Sequence, residues 1–210
     1  RRLGSALCYA ESWRYGGVRA TDLADKFGTP VYIIDEQRIR KNYRKVYGAF
    51  SRYMETRVHY ACKANANLAV LNILRQEGSG IDAVSIGEVK TCLKAGFKPS
   101  DIMYIGVNVS DGELQEVTDL GVMINIDSES EMERLANIRT GMPVSFRITP
   151  GVGSGHDDKV ITGNKGAKFG IPRERVLDAY IRAQDLGFRP VGIHAHIGSG
   201  GSDVSPFVDE

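Results

Sequence analysis

One pattern recurs three times along this chain and restricts its fold more than any other feature. Each copy is a short apolar run followed by a serine and, three residues later, a glutamate. The three pairs are Ser85 with Glu88, Ser110 with Glu113, and Ser128 with Glu131. This spacing is that of a capping box, which begins a helix. Strands that alternate with helices in this way pair in parallel, because each helix returns the chain to the starting edge of the sheet.

The alternation continues on both sides of these three copies. It predicts six strands, at residues 57–63, 80–84, 102–106, 122–127, 143–149 and 189–197, with helices at 68–77, 86–95, 111–120, 129–138 and 172–186. Ahead of them we predict a buried strand at 31–34 and a helix capped by Asp35. A closed (β/α)8 barrel needs eight strands and about 250 residues.

The chain has 210 residues, and residues 202–210 have the pattern of a loop and the beginning of another helix. We therefore expect an incomplete α/β barrel that is the amino-terminal part of a longer protein. A complete, open sheet of six strands is the alternative.

The composition excludes several classes of function. The formal net charge is +1 and no basic block occurs, so nothing indicates a nucleic-acid or membrane-surface partner. No apolar run is long enough to cross a bilayer. The three cysteines form no pair with metal-ligand spacing, and a reduced, cytoplasmic setting is the simplest interpretation.

The most suggestive local segment is residues 60–65, Tyr-Ala-Cys-Lys-Ala-Asn, which ends a predicted strand. Strand alternation puts Lys63 on the same face as the small Ala61, and this arrangement predicts a buried lysine at the carboxyl edge of the sheet. A buried lysine loses part of its preference for the charged form and can add to an aldehyde. The ordinary alternative is a solvated loop lysine. Cys62 points to the opposite face, which favours a packing role.

Polar residues follow other strands of the predicted sheet. Asp82 lies within an apolar strand and needs a partner such as a lysine or an imidazole. Arg147 precedes a glycine-rich loop, and an arginine fork at a strand end binds carboxylate or phosphate. His194 and His196 share one strand face, which is compatible with a core, cofactor or zinc role. We assign residues 125–128, Asn-Ile-Asp-Ser, a structural role.

Five of these segments together resemble a known family. They are Tyr-Ala-x-Lys-Ala-Asn at 60–65, Gly-x-Asp-x-x-Ser-x-Gly-Glu at 80–88, Asn-x-Asp-Ser at 125–128, the stretch from Arg147 through Lys168-Phe169-Gly170, and His-x-His-x-Gly-Ser at 194–199. In this order they resemble the fold-type III pyridoxal-phosphate decarboxylases, and the resemblance covers about residues 29–208. It implies a (β/α)8 barrel of the alanine racemase and decarboxylase type, present here without all its strands and without the family's carboxy-terminal β-domain.

The resemblance also implies roles for individual residues. Lys63 would bind pyridoxal 5′-phosphate covalently, and His196 would pack on the cofactor ring, so both are expected to be catalytic. Cofactor binding would further involve Asp82, Arg147 and Ser199. Lys168 and His194 would line the site, and no metal is expected.

The family pattern implies that residues 1–35 pack with the missing β-domain and that residues 36–210 are the cofactor-binding barrel. It implies a homodimer with the active site at the interface. Because the remaining strands and the β-domain contribute to catalysis in the family, the 210-residue piece alone is not expected to be active.

The implied reaction is the decarboxylation of meso-2,6-diaminopimelate to L-lysine. One departure leaves the substrate open: residues 156–163 read His-Asp-Asp-Lys-Val-Ile-Thr-Gly, where the members compared usually have His-Pro-x-Ile-Ser-Thr-Gly. The alternatives are a decarboxylase of ornithine, arginine or a carboxylated polyamine, a non-catalytic barrel that binds the cofactor, and a metal hydrolase that uses His194 and His196.

Overall fold

The computed structural model describes residues 13–151, 169–198 and Ser205. These residues belong to two compact units, each of which is treated by itself. The first unit contains residues up to Val58 together with Ala69–Ser79, and the second contains His59–Leu68 and the residues from Gly80 onward. The domain boundary predicted after residue 35 stays a prediction.

The described residues of the first unit form a small hairpin and three helices joined by extended or irregular segments. Its elements are β1 (Arg14–Tyr15), β2 (Val18–Arg19), α1 (Ala20–Phe27), α2 (Glu36–Phe50) and most of α3 (Leu68–Gln76). The Asp35 side chain accepts a hydrogen bond from the Arg38 N–H at 3.1 Å, so the predicted N-cap of α2 is confirmed. The Glu77 carboxylate, just after α3, accepts hydrogen bonds from Arg44 and Arg40 of α2, and these bonds lower its pKa to about 2.

The buried strand predicted at residues 31–34 is wrong. These residues form no strand, and all four apolar side chains are exposed, with Tyr32 98% exposed. A short apolar run cannot by itself distinguish a buried strand from an extended connection. The segment has the composition of a strand, but no neighbouring strand among the described residues pairs with it.

The second unit is built on one parallel sheet. Its strands are β3 (His59–Ala61), β4 (Gly80–Ala83), β5 (Ile102–Tyr104), β6 (Met123–Ile126), β7 (Pro143–Thr149), β8 (Ile171–Pro172) and β9 (Arg189–Ala195). They lie in the order β3-β4-β5-β6-β7-β8, with β9 also paired to β7, and every pairing is parallel. The six predicted strands are confirmed, and the two-residue β8 was not predicted.

Helices connect these strands as the alternation requires. They are α4 (Ile86–Lys94), α5 (Asp111–Asp119), α6 (Glu129–Ile138) and α7 (Val176–Asp185). One face of the sheet carries large apolar side chains that are fully buried, such as Tyr104, Ile124 and Phe146, and Phe146 packs on the ring of Tyr180 in α7 with centroids 5.0 Å apart. The other face carries the polar residues described below. Within the described ranges, no helix is long and apolar enough to cross a membrane.

The three predicted caps are present at the beginnings of α4, α5 and α6. In each, the serine hydroxyl accepts a hydrogen bond from the backbone N–H of the glutamate three residues later; the serines are Ser85, Ser110 and Ser128. A cap of this kind contributes about 1 kcal/mol to stability. The helix boundaries predicted from these caps are therefore accurate to one residue at their amino ends.

The glutamate half of the pattern departs from a standard capping box. Glu88 accepts a hydrogen bond from the backbone N–H of Val84, one residue before the cap, at 2.9 Å. Glu113 instead reaches the preceding repeat, where its carboxylate accepts from the Ile86 N–H and from the Tyr104 hydroxyl, both at 2.8 Å. The repeats are thus joined to one another by a residue that sequence spacing assigns to local capping.

Candidate active site

The carboxyl ends of the parallel strands bring together five of the seven predicted site residues. Lys63 follows β3, Asp82 lies in β4, Arg147 in β7, His194 in β9, and His196 directly after it. The charges of Lys63 and Arg147 both act on the pKa values of Asp82 and His196, which shows that the four groups share one environment. Ser199 and Lys168 lie outside the described residues. The carboxyl edge is where barrels of this class carry their chemistry.

Lys63 is exposed, so the prediction that it is buried is wrong. The strand ends at Ala61, and Lys63 lies in a one-turn 3-10 helix, Cys62–Ala64. Strand alternation therefore does not extend to Lys63, and its side chain leaves the edge of the sheet instead of entering the packed interior. Its charge nevertheless lowers the pKa of His196, so the amine is on the same side as the imidazole.

Cys62 has the packing role that strand alternation favours. Its side chain is fully buried, and its Sγ atom lies 3.6 Å from the Sγ atom of Cys92 in α4, with both cysteines in the free thiol form. Burial raises the pKa of the Cys62 thiol. A buried thiol of raised pKa is a poor nucleophile, because the thiolate is the reactive form.

Asp82 is the acid of the site. Burial raises its pKa to about 6, while the nearby charges of Lys63 and Arg147 oppose that rise and Glu88 adds to it. Its Oδ1 atom is buried and accepts no hydrogen bond from any described residue, so the expected direct partner is not formed. A buried acceptor without a donor is costly. The carboxyl is therefore suited to hold a proton near neutral pH or to accept a hydrogen bond from a bound molecule.

Arg147 provides a buried cation beside this acid. Its Nη1 atom lies 3.8 Å from Oδ1 of Asp127, and its guanidinium lies 4.8 Å above the ring of Phe169. Burial lowers the pKa of Arg147, and the carboxylates of Asp127 and Asp82 oppose that effect. Stacking and ion pairing together fix the plane of the guanidinium, so its remaining N–H groups are held in one orientation.

Asp127 has a position that sequence reasoning missed. Besides facing Arg147, its Oδ1 atom accepts a hydrogen bond from the Gly170 N–H at 3.2 Å. Gly170 has a φ of +81°, and a Cβ atom there would lie 3.0 Å from Oγ1 of Thr149. Only glycine suits this position. The role assigned to residues 125–128 is structural, and the structure adds that Asp127 connects that segment to Arg147.

His194 belongs to a buried polar network that the sequence did not indicate. The Ser145 hydroxyl donates to Oδ1 of Asn125 at 2.8 Å, and the Asn125 amide nitrogen lies 3.3 Å from Nδ1 of His194. Burial, Arg147 and His196 lower the pKa of His194 to about 4. Burial, Arg147 and Lys63 also lower the pKa of His196. Both imidazoles are therefore neutral at pH 7.

A signal for these missed residues was present in the strand alternation. Ser145 and Arg147 are two residues apart within β7 and so lie on one face of that strand, and Asn125 is followed at the same spacing by Asp127, one residue after the end of β6. The register pairs Asn125 with Ser145, and Arg147 with His194. Without the register, however, the alternation does not show which residues of neighbouring strands meet.

The buried carboxyl group of Glu131 contacts the backbone of Asp127. Its Oε2 atom accepts a hydrogen bond from the Asp127 N–H at 2.8 Å, while its Oε1 atom is buried with no partner among the described residues. Burial raises its pKa from 4.5 to about 7. Between these two pH values the folded protein binds more protons than the unfolded protein, so stability falls as the pH rises through that window.

We expect Glu131→Gln in the full-length protein to reduce this pH dependence. The part of the free energy of unfolding that is lost between about pH 5 and about pH 8 should shrink by at most about 3 kcal/mol. Denaturant unfolding at both pH values measures it. Glu133→Gln is the matched control, because Glu133 lies on the same helix with its side chain 62% exposed. An unchanged pH dependence in Glu131→Gln would contradict the prediction.

The site as a whole combines two cations, two neutral imidazoles and one acid that titrates near neutral pH. Such an arrangement favours an anionic ligand and can hold a proton close to it. In the described part of the chain, no three His, Cys, Asp or Glu side chains are grouped as metal ligands.

Comparison with known proteins identifies the family of this domain. Residues 36–210 match the model of the pyridoxal-dependent decarboxylases, pyridoxal binding domain. A diaminopimelate decarboxylase from Methanothermobacter thermautotrophicus is 56% identical over 195 residues, which are 92% of this chain and 46% of that protein. The chain thus spans about half the length of the curated relatives it matches.

Solved structures agree with the fold. Diaminopimelate decarboxylase from Helicobacter pylori complexed with L-lysine has a TM-score of 0.85 at 32% identity, over 90% of this chain and 49% of that one. The enzyme from M. jannaschii in co-complex with L-lysine has a TM-score of 0.82 at 35% identity, over 91% and 47%. The predicted α/β barrel of the decarboxylase type is confirmed, and pyridoxal 5′-phosphate is the cofactor that this domain binds. The chain belongs to the pyridoxal-dependent decarboxylases and contains their pyridoxal-binding domain.

Proposed function

We propose that the longer protein containing this chain removes one carboxylate of meso-2,6-diaminopimelate and releases L-lysine. The observation that carries the proposal is the grouping of Lys63, Asp82, Arg147, His194 and His196 at one edge of a pyridoxal-binding domain. The choice of substrate is supported by a relative of 56% identity named diaminopimelate decarboxylase and by relatives solved with L-lysine.

The described residues fit pyridoxal phosphate. The cofactor is an anion with an aldehyde and an aromatic ring, and the site offers the amine of Lys63, the guanidinium of Arg147 and neutral imidazoles. The unpartnered Oδ1 atom of Asp82 is an acceptor that a bound polar group could satisfy. When bound, the cofactor supplies an electron sink for the pair left behind as carbon dioxide departs.

Each residue has a distinct proposed task. Lys63 holds the cofactor aldehyde through its Nζ atom, and its exposure leaves the amine accessible to the cofactor and to the substrate amine. Asp82, with a pKa of about 6, holds or releases a proton beside that amine. His196 packs on the cofactor ring, and its lowered pKa keeps a second positive charge away from the ring.

The other proposed tasks concern binding. Arg147 and Lys168 line the site as cations that attract the phosphate of the cofactor or a carboxylate of the substrate. Ser199 binds the phosphate. His194 lines the site as a neutral group, because burial and the nearby charge of Arg147 lower its pKa.

The proposal includes a homodimer in the cytoplasm, with the active site at the dimer interface. The exposure of Lys63 supports a site that a second subunit covers, and the free thiols of Cys62 and Cys92 are compatible with a reducing compartment. The proposal keeps residues 1–35 as a segment that packs with the β-domain, and it is supported by the family match, which begins at residue 36.

A substrate panel with the full-length protein tests the proposed function. We expect carbon dioxide release from meso-2,6-diaminopimelate at a rate at least about 100-fold above that from L-lysine, L-ornithine, L-arginine and a carboxylated polyamine. A discrimination of this size is reached when buried polar groups bind a substrate group that the competitor lacks. Preference for another panel member would replace the substrate in the proposal.

Two further outcomes separate the remaining alternatives. Bound cofactor without carbon dioxide release from any amino acid would favour the non-catalytic barrel. Stoichiometric metal in the purified protein, with activity lost on chelation, would favour the metal hydrolase.

A further inference from the structure

The buried network that ends at His194 has a consequence for the protonation of the site. Asn125 is 1% exposed and Ser145 is 3% exposed, so water does not compete for their hydrogen bonds. The network crosses three neighbouring strands, from Asn125 in β6 and Ser145 in β7 to His194 in β9. Its members are side chains on the polar face of the sheet.

The directions of the two hydrogen bonds determine one another. The Ser145 hydroxyl donates to Oδ1 of Asn125, so the amide presents its NH2 group to Nδ1 of His194. An NH2 group only donates, and Nδ1 must therefore be an unprotonated acceptor. In a neutral imidazole the proton is then on Nε2.

The neighbours of His194 explain why such a constraint is useful. Arg147 is its register partner on β7, and the guanidinium of Arg147 is buried and held by Asp127 and Phe169. His196 and Lys63 are also in this environment. The described acids in this environment are Asp82 and Asp127, and the charges of both favour the protonated form of Arg147. A protonated His194 would add a like charge directly beside the buried arginine.

We propose that Asn125 and Ser145 are positioning residues that hold His194 in its neutral Nε2–H form. They thereby keep the charge next to Arg147 constant over the working pH range. The inference adds two positioning residues to the proposed active site, and it rests on the proposed function for the identity of that site. Its structural basis is the orientation of the Asn125 amide. While Oδ1 accepts from Ser145, the NH2 group is the only part of the amide that faces Nδ1 of His194, and it can only donate.

Histidine NMR of the full-length, cofactor-free protein tests this inference. With 15N-labelled histidine, the ring nitrogens report which atom carries the proton, and the signals of His194 are assigned as those lost in His194→Gln. We expect His194 to carry its proton on Nε2 throughout the range from about pH 5 to about pH 8. A proton on Nδ1, or titration of His194 near its ordinary pKa, would overturn the proposal.

Asn125→Asp is the decisive variant. A carboxylate in place of the amide accepts a hydrogen bond from a protonated Nδ1 and stabilises the imidazolium, so the titration midpoint of His194 should rise by at least about two pH units. The kcat/KM profile should gain an inflection at the NMR midpoint of His194, in addition to the one expected from Asp82 in both the wild type and the variant. Asn137→Asp makes the same substitution at an exposed position of α6 and should change neither measurement. Equal His194 titration in Asn125→Asp and wild type would overturn the proposal.

Ser145→Ala is a second test of the inference, which can be used if Asn125→Asp does not fold. Without the hydroxyl donor the amide is no longer oriented, and we expect both neutral tautomers of His194 to be populated. A single Nε2–H form in Ser145→Ala would show that Ser145 is not the orienting group. Because the NMR measurement needs neither cofactor nor turnover, its result is independent of whether diaminopimelate is the substrate.

Discussion

Replacing Lys63 with alanine in the full-length protein is expected to abolish covalent cofactor attachment and to lower the decarboxylation rate by at least about 100-fold. Lys63 is the amine at the carboxyl edge, and its charge lowers the pKa values of both Asp82 and His196. Its removal takes away the group proposed to hold the aldehyde and the cation that lowers the pKa of Asp82. Borohydride reduction followed by mass spectrometry of the intact protein measures attachment, and carbon dioxide release measures the rate.

Two variants separate the possible causes of this loss. Lys63→Arg keeps a positive charge near Asp82 but cannot form the covalent bond, so we expect it to be as inactive as Lys63→Ala. Lys94→Ala removes another exposed lysine, at the end of α4, and should leave attachment and rate unchanged. Cofactor that stays covalently attached in Lys63→Ala would show that a different amine is used, and the proposed site would then be wrong.

The second large effect is expected on stability, from Arg147→Leu. The side chains of Arg147 and Asp127 are only 10% and 9% exposed, and their charged atoms are 3.8 Å apart. Removing one member of a buried pair leaves the other charge uncompensated, which costs about 3 to 5 kcal/mol. The substitution also removes the stack on Phe169. Chemical unfolding of the cofactor-free, full-length protein measures the change.

The chain offers a close control for this prediction. Arg182 and Glu133 have almost the same separation, 3.7 Å, but their side chains are 53% and 62% exposed. Because solvent screens an exposed pair, Arg182→Leu should cost no more than about 1 kcal/mol. Equal effects of Arg147→Leu and Arg182→Leu would contradict the assignment of the large effect to burial.

A double variant tests whether the cost comes from the pair itself. In Arg147→Leu the carboxylate of Asp127 keeps only the Gly170 N–H as a described donor. Adding Asp127→Asn removes the uncompensated charge, so the double variant should recover part of the stability that Arg147→Leu loses. Strict additivity of the two substitutions would indicate that Arg147 and Asp127 do not interact.

Several features of the fold were accessible from the sequence because they depend on neighbours along the chain. The serine caps of α4, α5 and α6 and the period of the apolar runs predicted the alternation of strands and helices. Parallel pairing followed from that alternation, and parallel strands gather their carboxyl ends at one edge. The approximate positions of Asp82, Arg147 and His194 at that edge therefore followed from the same local signals.

Other features were not accessible, because they depend on which residues of different strands meet. The register aligns Asn125 with Ser145, and Arg147 with His194, and these pairings create the network beside the site. Glu113 looked like a local cap but binds the preceding repeat. Lys63 was expected to continue a strand, yet the strand ends two residues before it.

The sequence by itself determined the alternation of six parallel strands with helices, the capped beginnings of α4, α5 and α6, and the edge of the sheet at which the polar residues collect. Only the tertiary structure decided that Lys63 is exposed, that Asp127 holds Arg147, and that Asn125 contacts His194. The physical reason is the range of the interactions. Caps and periodicity act over three or four residues, whereas burial and charge compensation depend on strand register, which brings together residues as far apart as Asn125 and His194.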